Sequence, residues 1–199
     1  VLTLQKKWTM IKHLTGKQWK ELALQGFLNP AAYYLILFKA YDMLPAQVAQ
    51  PVNYAWPIVL LILLAVCTKQ PIPAKKYIGM FISMAGVVMI SLGTGQLSGM
   101  SVPFHGVLLA VLSAFFWAGY WMVNNKHKGN IDAIVSLFGS FLWGSLYLLV
   151  SIPVFGMGFP NINGLLAGMY VGGFEMAIPF ICFGIAMRIT SNPTLINQL

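Results

Sequence analysis

Residues 46–67 read AQVAQPVNYAWPIVLLILLAVC, and the nine that follow, 68–76, read TKQPIPAKK. The first stretch carries no charge. The second holds Lys69, Lys75 and Lys76. An α-helix rises about 1.5 Å per residue, so about 20 apolar residues cross a hydrocarbon layer about 30 Å thick. An uncharged run of that length ending in a knot of lysines is the pattern of a helix that spans a bilayer and then leaves it. Strands do not fit, because a membrane barrel alternates apolar and polar residues in segments of about ten.

Working outward with the same ruler gives six spans: Leu22–Tyr41, Ala46–Cys67, Tyr77–Leu92, Gly106–Val123, Ile134–Phe155 and Leu165–Met187. A seventh is predicted to begin near Asn192. The third is short and calls for snorkelling ends or local thinning of the bilayer. The links between spans alternate in character. Lys6, Lys7, Lys12, Lys17 and Lys20 precede the first span, three lysines follow the second, Lys126 and Lys128 follow the fourth, and Arg188 follows the sixth. The intervening links, near Asp42–Pro45, Gly93–Pro103 and Gly156–Asn163, hold no Lys or Arg. Eleven of the twelve basic residues therefore lie on one side, Lys39 excepted, and that side is assigned to the cytoplasm. Trp8, Trp19 and Tyr77 read as interfacial anchors at the cytoplasmic ends.

Composition agrees with this reading. Hydrophobic residues make up 58% of the 199-residue chain and charged residues 8%, with a mean hydropathy of +0.76. A soluble domain has roughly a quarter of its residues charged. The net charge of +8 does not point to nucleic acid, because the basic residues lie between apolar runs rather than in one patch. Anionic lipid headgroups are the expected partners. Cys67 and Cys182 read as small apolar side chains in helices, not as a disulfide pair. The chain has no initiator Met and no signal peptide, and 193–199 read as the opening of another helix. It is expected to be a piece of a longer protein.

An internal echo links Gly26–Asn53 with Gly172–Leu199, 146 positions later. Each runs from a glycine through an apolar helix, with one polar residue near its start, into a tight turn and a new helix. Five spans separate corresponding points, so the second copy enters the membrane from the opposite side. Inverted repeats of this kind underlie many secondary transporters.

These features, with GFLNPAAYY (26–34), FKAYDMLPAQVAQPVNYAWP (38–57), Lys69-Gln70, Gly79 with Gly86–Ile90, and GFEMAIPF (173–180), resemble the EamA-type members of the drug/metabolite transporter superfamily. The resemblance covers nearly the whole chain. It implies an all-α polytopic transmembrane bundle of ten helices in two inverted five-helix repeats, with both termini cytoplasmic, in a bacterial inner membrane. It also implies export of amino acids or related small metabolites. In that register 1–93 is the latter part of the first repeat and 104–199 the first part of the second, and this chain carries six to seven of the helices.

Polar groups within spans are costly, so their positions carry information. Glu175, mid-span and without a basic residue one turn away, is a candidate to bind a substrate ammonium or exchange a proton. The plainer alternative is a protonated Glu hydrogen-bonded to a neighbouring helix. Asn29, in the corresponding place of the first copy, precedes Pro30, which bends the helix and frees a carbonyl. Gln50, Asn53 and Pro57 share a helical spacing in the most interrupted span, and together with Trp56 they are candidates to line a pathway. Tyr33, Tyr34, Trp117, Tyr120 and Trp121 are candidate aromatic walls, set against ordinary packing. Gly168 with Gly172, and Gly79 with Ser83, read as small-residue pairs for close helix contact. Lys39 reads as snorkelling outward to Asp42.

No enzyme constellation is evident. His13, His105 and His127 lie in links or at a boundary, no metal-ligand cluster accompanies Glu175, no nucleophile has a base beside it, and no nucleotide-binding glycine loop is present. No cofactor or metal is expected. The expected partners are a small-molecule solute, the lipid bilayer and protons. Two other classes stay open at this point: a membrane enzyme acting on a lipid-linked substrate, and a non-transporting scaffold.

Overall fold

A computed structural model describes the chain except residues 1, 4, 69–72, 94–101, 127–129, 157, 159 and 190–199. The side chains of 68, 76, 83, 87, 90–93, 125, 126, 175, 187 and 188 are also outside the description. The seventh span expected near Asn192 lies outside the described residues. Among the described residues ten helices follow one another: α1 (Trp8–Lys12), α2 (Gly16–Gly26), α3 (Tyr33–Met43), α4 (Ala46–Asn53), α5 (Trp56–Thr68), α6 (Ala74–Gly93), α7 (Phe104–Lys126), α8 (Ala133–Val154), α9 (Ile162–Tyr170) and α10 (Ile178–Ile189). A kink at Phe27–Ala32, with Asn29 extended, joins α2 to α3, and a wide, π-type turn at Val171–Ala177 joins α9 to α10. No extended strand occurs among the described residues. Among the described residues four stretches are long and apolar enough to cross a membrane: Ala46–Cys67, Phe104–Asn124, Ala133–Val154 and Ile162–Ala186. The chain is an all-α, multi-pass integral membrane protein.

The first expected span, Leu22–Tyr41, is not one continuous helix. Asn29 leaves the helical region (φ −149°, ψ 122°) before Pro30. Proline has no N–H to donate and its ring disfavours a helical residue before it, so the ladder breaks there. The third span is a 20-residue helix, α6, with Tyr77–Gly86 as its shorter apolar stretch.

The chain divides into two compact units. One draws on Val1–Phe27 and His127–Asn197, the other on Leu28–Lys126. These units of contact cut across chain order.

In the first unit α2 packs on α8. The approach is close because small residues meet. A Cβ added at Gly26 would collide with the Ser140 carbonyl oxygen and lie 2.7 Å from the Gly144 backbone nitrogen. One added at Gly139 would come within 2.6 Å of Leu22. Leu22, Ile131, Ile134 and Val135 form the buried core beside this crossing. The small pairs expected to do this work lie elsewhere: added Cβ atoms at Gly168, Gly172 and Gly79 meet nothing within 4 Å among the described residues, and the Ser83 side chain lies outside the description.

Two caps anchor one end of this unit. Thr15 and Gln18 form a reciprocal capping box on α2, and Gln18 Nε2 also donates to the Asn130 carbonyl (3.0 Å). Asp132 caps α8, its Oδ1 accepting from the N–H groups of Ile134 (3.0 Å) and Val135 (3.3 Å). Its Oδ2 accepts from Lys7 Nζ at 2.8 Å. Partial burial alone would raise the Asp132 carboxyl. The Lys7 hydrogen bond, the two backbone N–H groups and the Lys7 charge outweigh that and hold it below its ordinary value.

In the second unit α7 is the hub on which α3, α4 and α5 pack. Gly106, Ala110, Ala114 and Ala118 recur every four residues, and the three alanines are fully buried. That stripe of small side chains lets neighbouring backbones approach. Leu44 seats against Gly106, and Ala40, Ala49 and Ala110 close the core beside it. Lys39 lies 3.7 Å from Asp42 in an exposed pair, as its spacing suggested.

Two tests follow. Gly26→Ala places a methyl against backbone that cannot move aside cheaply. It should cost about 1–3 kcal/mol in denaturant unfolding in micelles, while Gly79→Ala stays neutral or stabilises by up to ~1 kcal/mol. The lowered Asp132 carboxyl stabilises the fold above its unfolded-state pKa and loses that contribution as pH falls through the folded-state value. Thermal unfolding between pH 5 and pH 2 should therefore fall less steeply for Asp132→Asn than for the wild type.

Candidate functional site

The second unit contains an uncommon concentration of polar and aromatic side chains, and local sequence explains why they meet. Pro57 has no N–H for the Asn53 carbonyl, so α4 ends at Asn53 and the chain turns through Tyr54–Ala55 before α5 starts at Trp56. The Tyr54 N–H still reaches the Gln50 carbonyl (2.9 Å) and the Ala55 N–H the Val52 carbonyl (3.1 Å). The break points the Asn53 side chain at two other helices. Asn53 Nδ2 donates to Tyr33 Oη on α3 (3.0 Å), and Ser113 Oγ on α7 lies 3.1 Å from Asn53 Oδ1 and 2.7 Å from the Ala110 carbonyl. A primary amide offers two N–H donors and two acceptor lone pairs. Asn53 thus keeps one of each beyond this chain.

Ser113, Trp117 and Trp121 lie four residues apart, hence on one line along α7. Trp117 meets the Tyr33 ring at a centroid distance of 4.5 Å, Trp56 at 6.1 Å and Trp121 at 6.4 Å. Tyr33 also abuts Tyr34 at 4.7 Å, and Tyr120 abuts Trp121 at 5.1 Å. Tyr33, Ser113 and Trp121 are buried, while Asn53, Trp56 and Trp117 are half-buried. The result is an aromatic wall with an amide at its edge, anchored from behind and accessible from the front.

Of the candidates read from the sequence, Tyr33, Asn53, Trp56, Trp117 and Trp121 come together here. Gln50 does not join them: it lies exposed on α4, and Pro57 is beyond the turn on α5. Asn29 is fully buried at the break before α3, and neither Oδ1 nor Nδ2 finds a partner among the described residues. Glu175 belongs to the first unit, on the wide turn Val171–Ala177, and its side chain lies outside the described residues.

Sequence reasoning missed Ser113, because a serine flanked by Leu112 and Ala114 is unremarkable in an apolar helix. It also missed Gln25, which is buried and accepts from Ser136 Oγ (3.3 Å) across the α2–α8 crossing. The signal for Gln25 was available, as a lone amide between Leu24 and Gly26. Among the described residues no group of three or more His, Cys, Asp or Glu is placed to hold a metal.

A helical membrane bundle with a polar, aromatic-walled break is the architecture of a membrane carrier. The EamA-like transporter family matches residues 1–92 and 104–195, and the chain belongs to that family. It is similar to the uncharacterized transporter YdfC of Bacillus subtilis, with 26% identity over 79% of this chain and 51% of that protein. It is also similar to an uncharacterized transporter of Clostridium kluyveri, with 25% identity over 91% of this chain and 60% of that protein. The chain thus spans about half to three-fifths of the length of these relatives. A crystal structure aligns over 98% of this chain and 66% of its own with a TM-score of 0.73 at 18% identity, a likeness of fold.

Replacing Asn53 with Ala leaves the buried Tyr33 hydroxyl without its donor and should cost about 1–3 kcal/mol. Ser113→Ala should cost less, about 1 kcal/mol, because the Tyr33–Asn53 bond survives. Chemical unfolding of both variants in one detergent checks the order.

Proposed function

We propose that the longer protein of which this chain is part is a secondary carrier exporting amino acids or related small amphipathic metabolites, and that the Asn53 cluster contacts the solute. One observation carries the reading: a part-open amide, held by Tyr33 and Ser113 and walled by Trp56 and Trp117, at a helix break in an apolar bundle. Its spare donor and acceptor suit a polar head and the rings suit an apolar or aromatic body. Asn29 adds a second buried amide without a hydrogen-bond partner among the described residues, a cost of about 1–3 kcal/mol that a bound polar group would offset.

Alternating access by inverted halves is the proposed mechanism, with 1–93 and 104–199 the parts of the two repeats. Two features support it. The family match falls in two segments, 1–92 and 104–195. Interruptions of the regular helix also fall in register: shifted by the offset that brings Gly26 onto Gly172, the kink at Phe27–Ala32 falls on 173–178, overlapping the wide turn Val171–Ala177. In this scheme Glu175 couples export to protons, and the protein resides in a bacterial plasma membrane. Transporter names among the relatives favour a carrier over the membrane enzyme or the scaffold.

Proteoliposomes loaded with the full-length protein provide the test. Trp117→Ala and Asn53→Ala should lower amino-acid counterflow per reconstituted molecule at least tenfold while helical circular dichroism stays unchanged. Counterflow equal to wild type in both variants would exclude the cluster as the solute site. If Glu175 couples protons, a pH gradient should accelerate wild-type flux and leave Glu175→Gln unaffected.

A further inference from the structure

The first unit contains a cavity of about 360 Å³ with a different chemistry. One wall is the start of α8, from Ile134 to Phe141, about 10 Å of helix at 1.5 Å per residue. Gly172, Ala177 and Ile181 form another wall, and Thr3 and Trp8 stand at the N-terminal segment. The two polar side chains of the lining face each other, Trp8 Nε1 donating to Thr3 Oγ1 (3.2 Å). The rest of the lining is apolar, so a polar solute finds little to recognise inside. A hydrocarbon chain fits.

The lip has the opposite character. Trp8 packs edge-on against Phe138 at 5.6 Å, and Lys12, four residues on, shares its face of α1. Lys6 sits in the tight turn closed by the Lys6 N–H to the Thr3 carbonyl (3.2 Å) and the Lys7 N–H to the Leu2 carbonyl (3.0 Å). Its φ of 50° lies in the left-handed region that side-chain-bearing residues rarely adopt. Lys7 is engaged by Asp132, whereas the Lys6 and Lys12 side chains are exposed. An apolar slot walled by about two turns of α8, with Trp8 in its lining and two exposed cations on the same N-terminal segment, complements an amphiphile with an anionic head.

We infer that this cavity binds one acyl chain of an anionic phospholipid, with Lys6 and Lys12 holding its phosphate. The lysines lie on the face assigned to the cytoplasm, where anionic headgroups attract basic segments.

The test uses the full-length protein in neutral detergent. Dioleoyl phosphatidylglycerol bearing an acyl-chain diazirine is photoactivated and the adducts are mapped by peptide mass spectrometry. Binding of phosphatidylglycerol, phosphatidylcholine and the water-soluble headgroup glycerophosphoglycerol is compared by native mass spectrometry. Adducts are expected within 134–141 and 177–181, with phosphatidylglycerol bound in preference to the other two. Lys6→Gln and Lys12→Gln should each weaken binding about fivefold. Ala177→Phe should fill the slot and remove the adducts. Equal binding of phosphatidylcholine, retention of the headgroup alone, or adducts spread over other helices would overturn the assignment. Should Ala177→Phe fail to fold, the wild-type adduct map and the lipid preference decide it.

Discussion

Hydrocarbon offers no hydrogen-bond partner, so a spanning chain has to close every interruption of its helices with groups of its own. The structure answers this demand differently at each place where the ladder breaks. At Tyr54–Ala55 the helix end is closed by turn hydrogen bonds, and the Asn53 side chain is clasped by Tyr33 and Ser113. At Asn29 the chain turns extended and the amide is enclosed without a partner among the described residues. The first solution is partly open. The second leaves a buried polar group that calls for an explanation of its own.

Packing around these breaks depends on small side chains. The Gly106–Ala110–Ala114–Ala118 stripe lets α3, α4 and α5 crowd onto α7 closely enough for Ser113 to reach Asn53 and for Trp117 to touch both Tyr33 and Trp56. Larger residues on that line would push the helices apart and dissolve the cluster without altering any member of it. At the other crossing, Gly26 performs the same service against Ser140 and Gly144. Dispersion and shape, rather than a hydrophobic drive, hold helices together in lipid, so these contacts bear directly on stability.

Much of this was legible in the residues. The uncharged run at 46–67 appears as one apolar stretch with the same limits, Ala46–Cys67. Five of the eight candidate residues converge because prolines and aromatics in apolar runs are conspicuous. What stayed hidden is contact across helices. Nothing in the order of residues says that Gly26 rather than Gly168 meets a neighbour, or that Ser113 rather than Ser136 faces Asn53, since helical spacing locates a face but not the helix opposite it. Gln50 went astray for a related reason: sharing a face with Asn53 by periodicity did not bring it against the wall, where it would have needed a neighbour to meet. The broken first span shows local chemistry winning over hydropathy, Asn29-Pro30 dividing a run whose apolarity alone reads as continuous.

The clasp between Lys7 and Asp132 joins positions 125 residues apart through 2.8 Å. Asp132 is also the residue on which α8 begins, so the leading segment is moored to the head of a transmembrane column rather than adrift on the surface. The clasp thus gives the lysine-bearing stretch a fixed point of attachment at the start of α8.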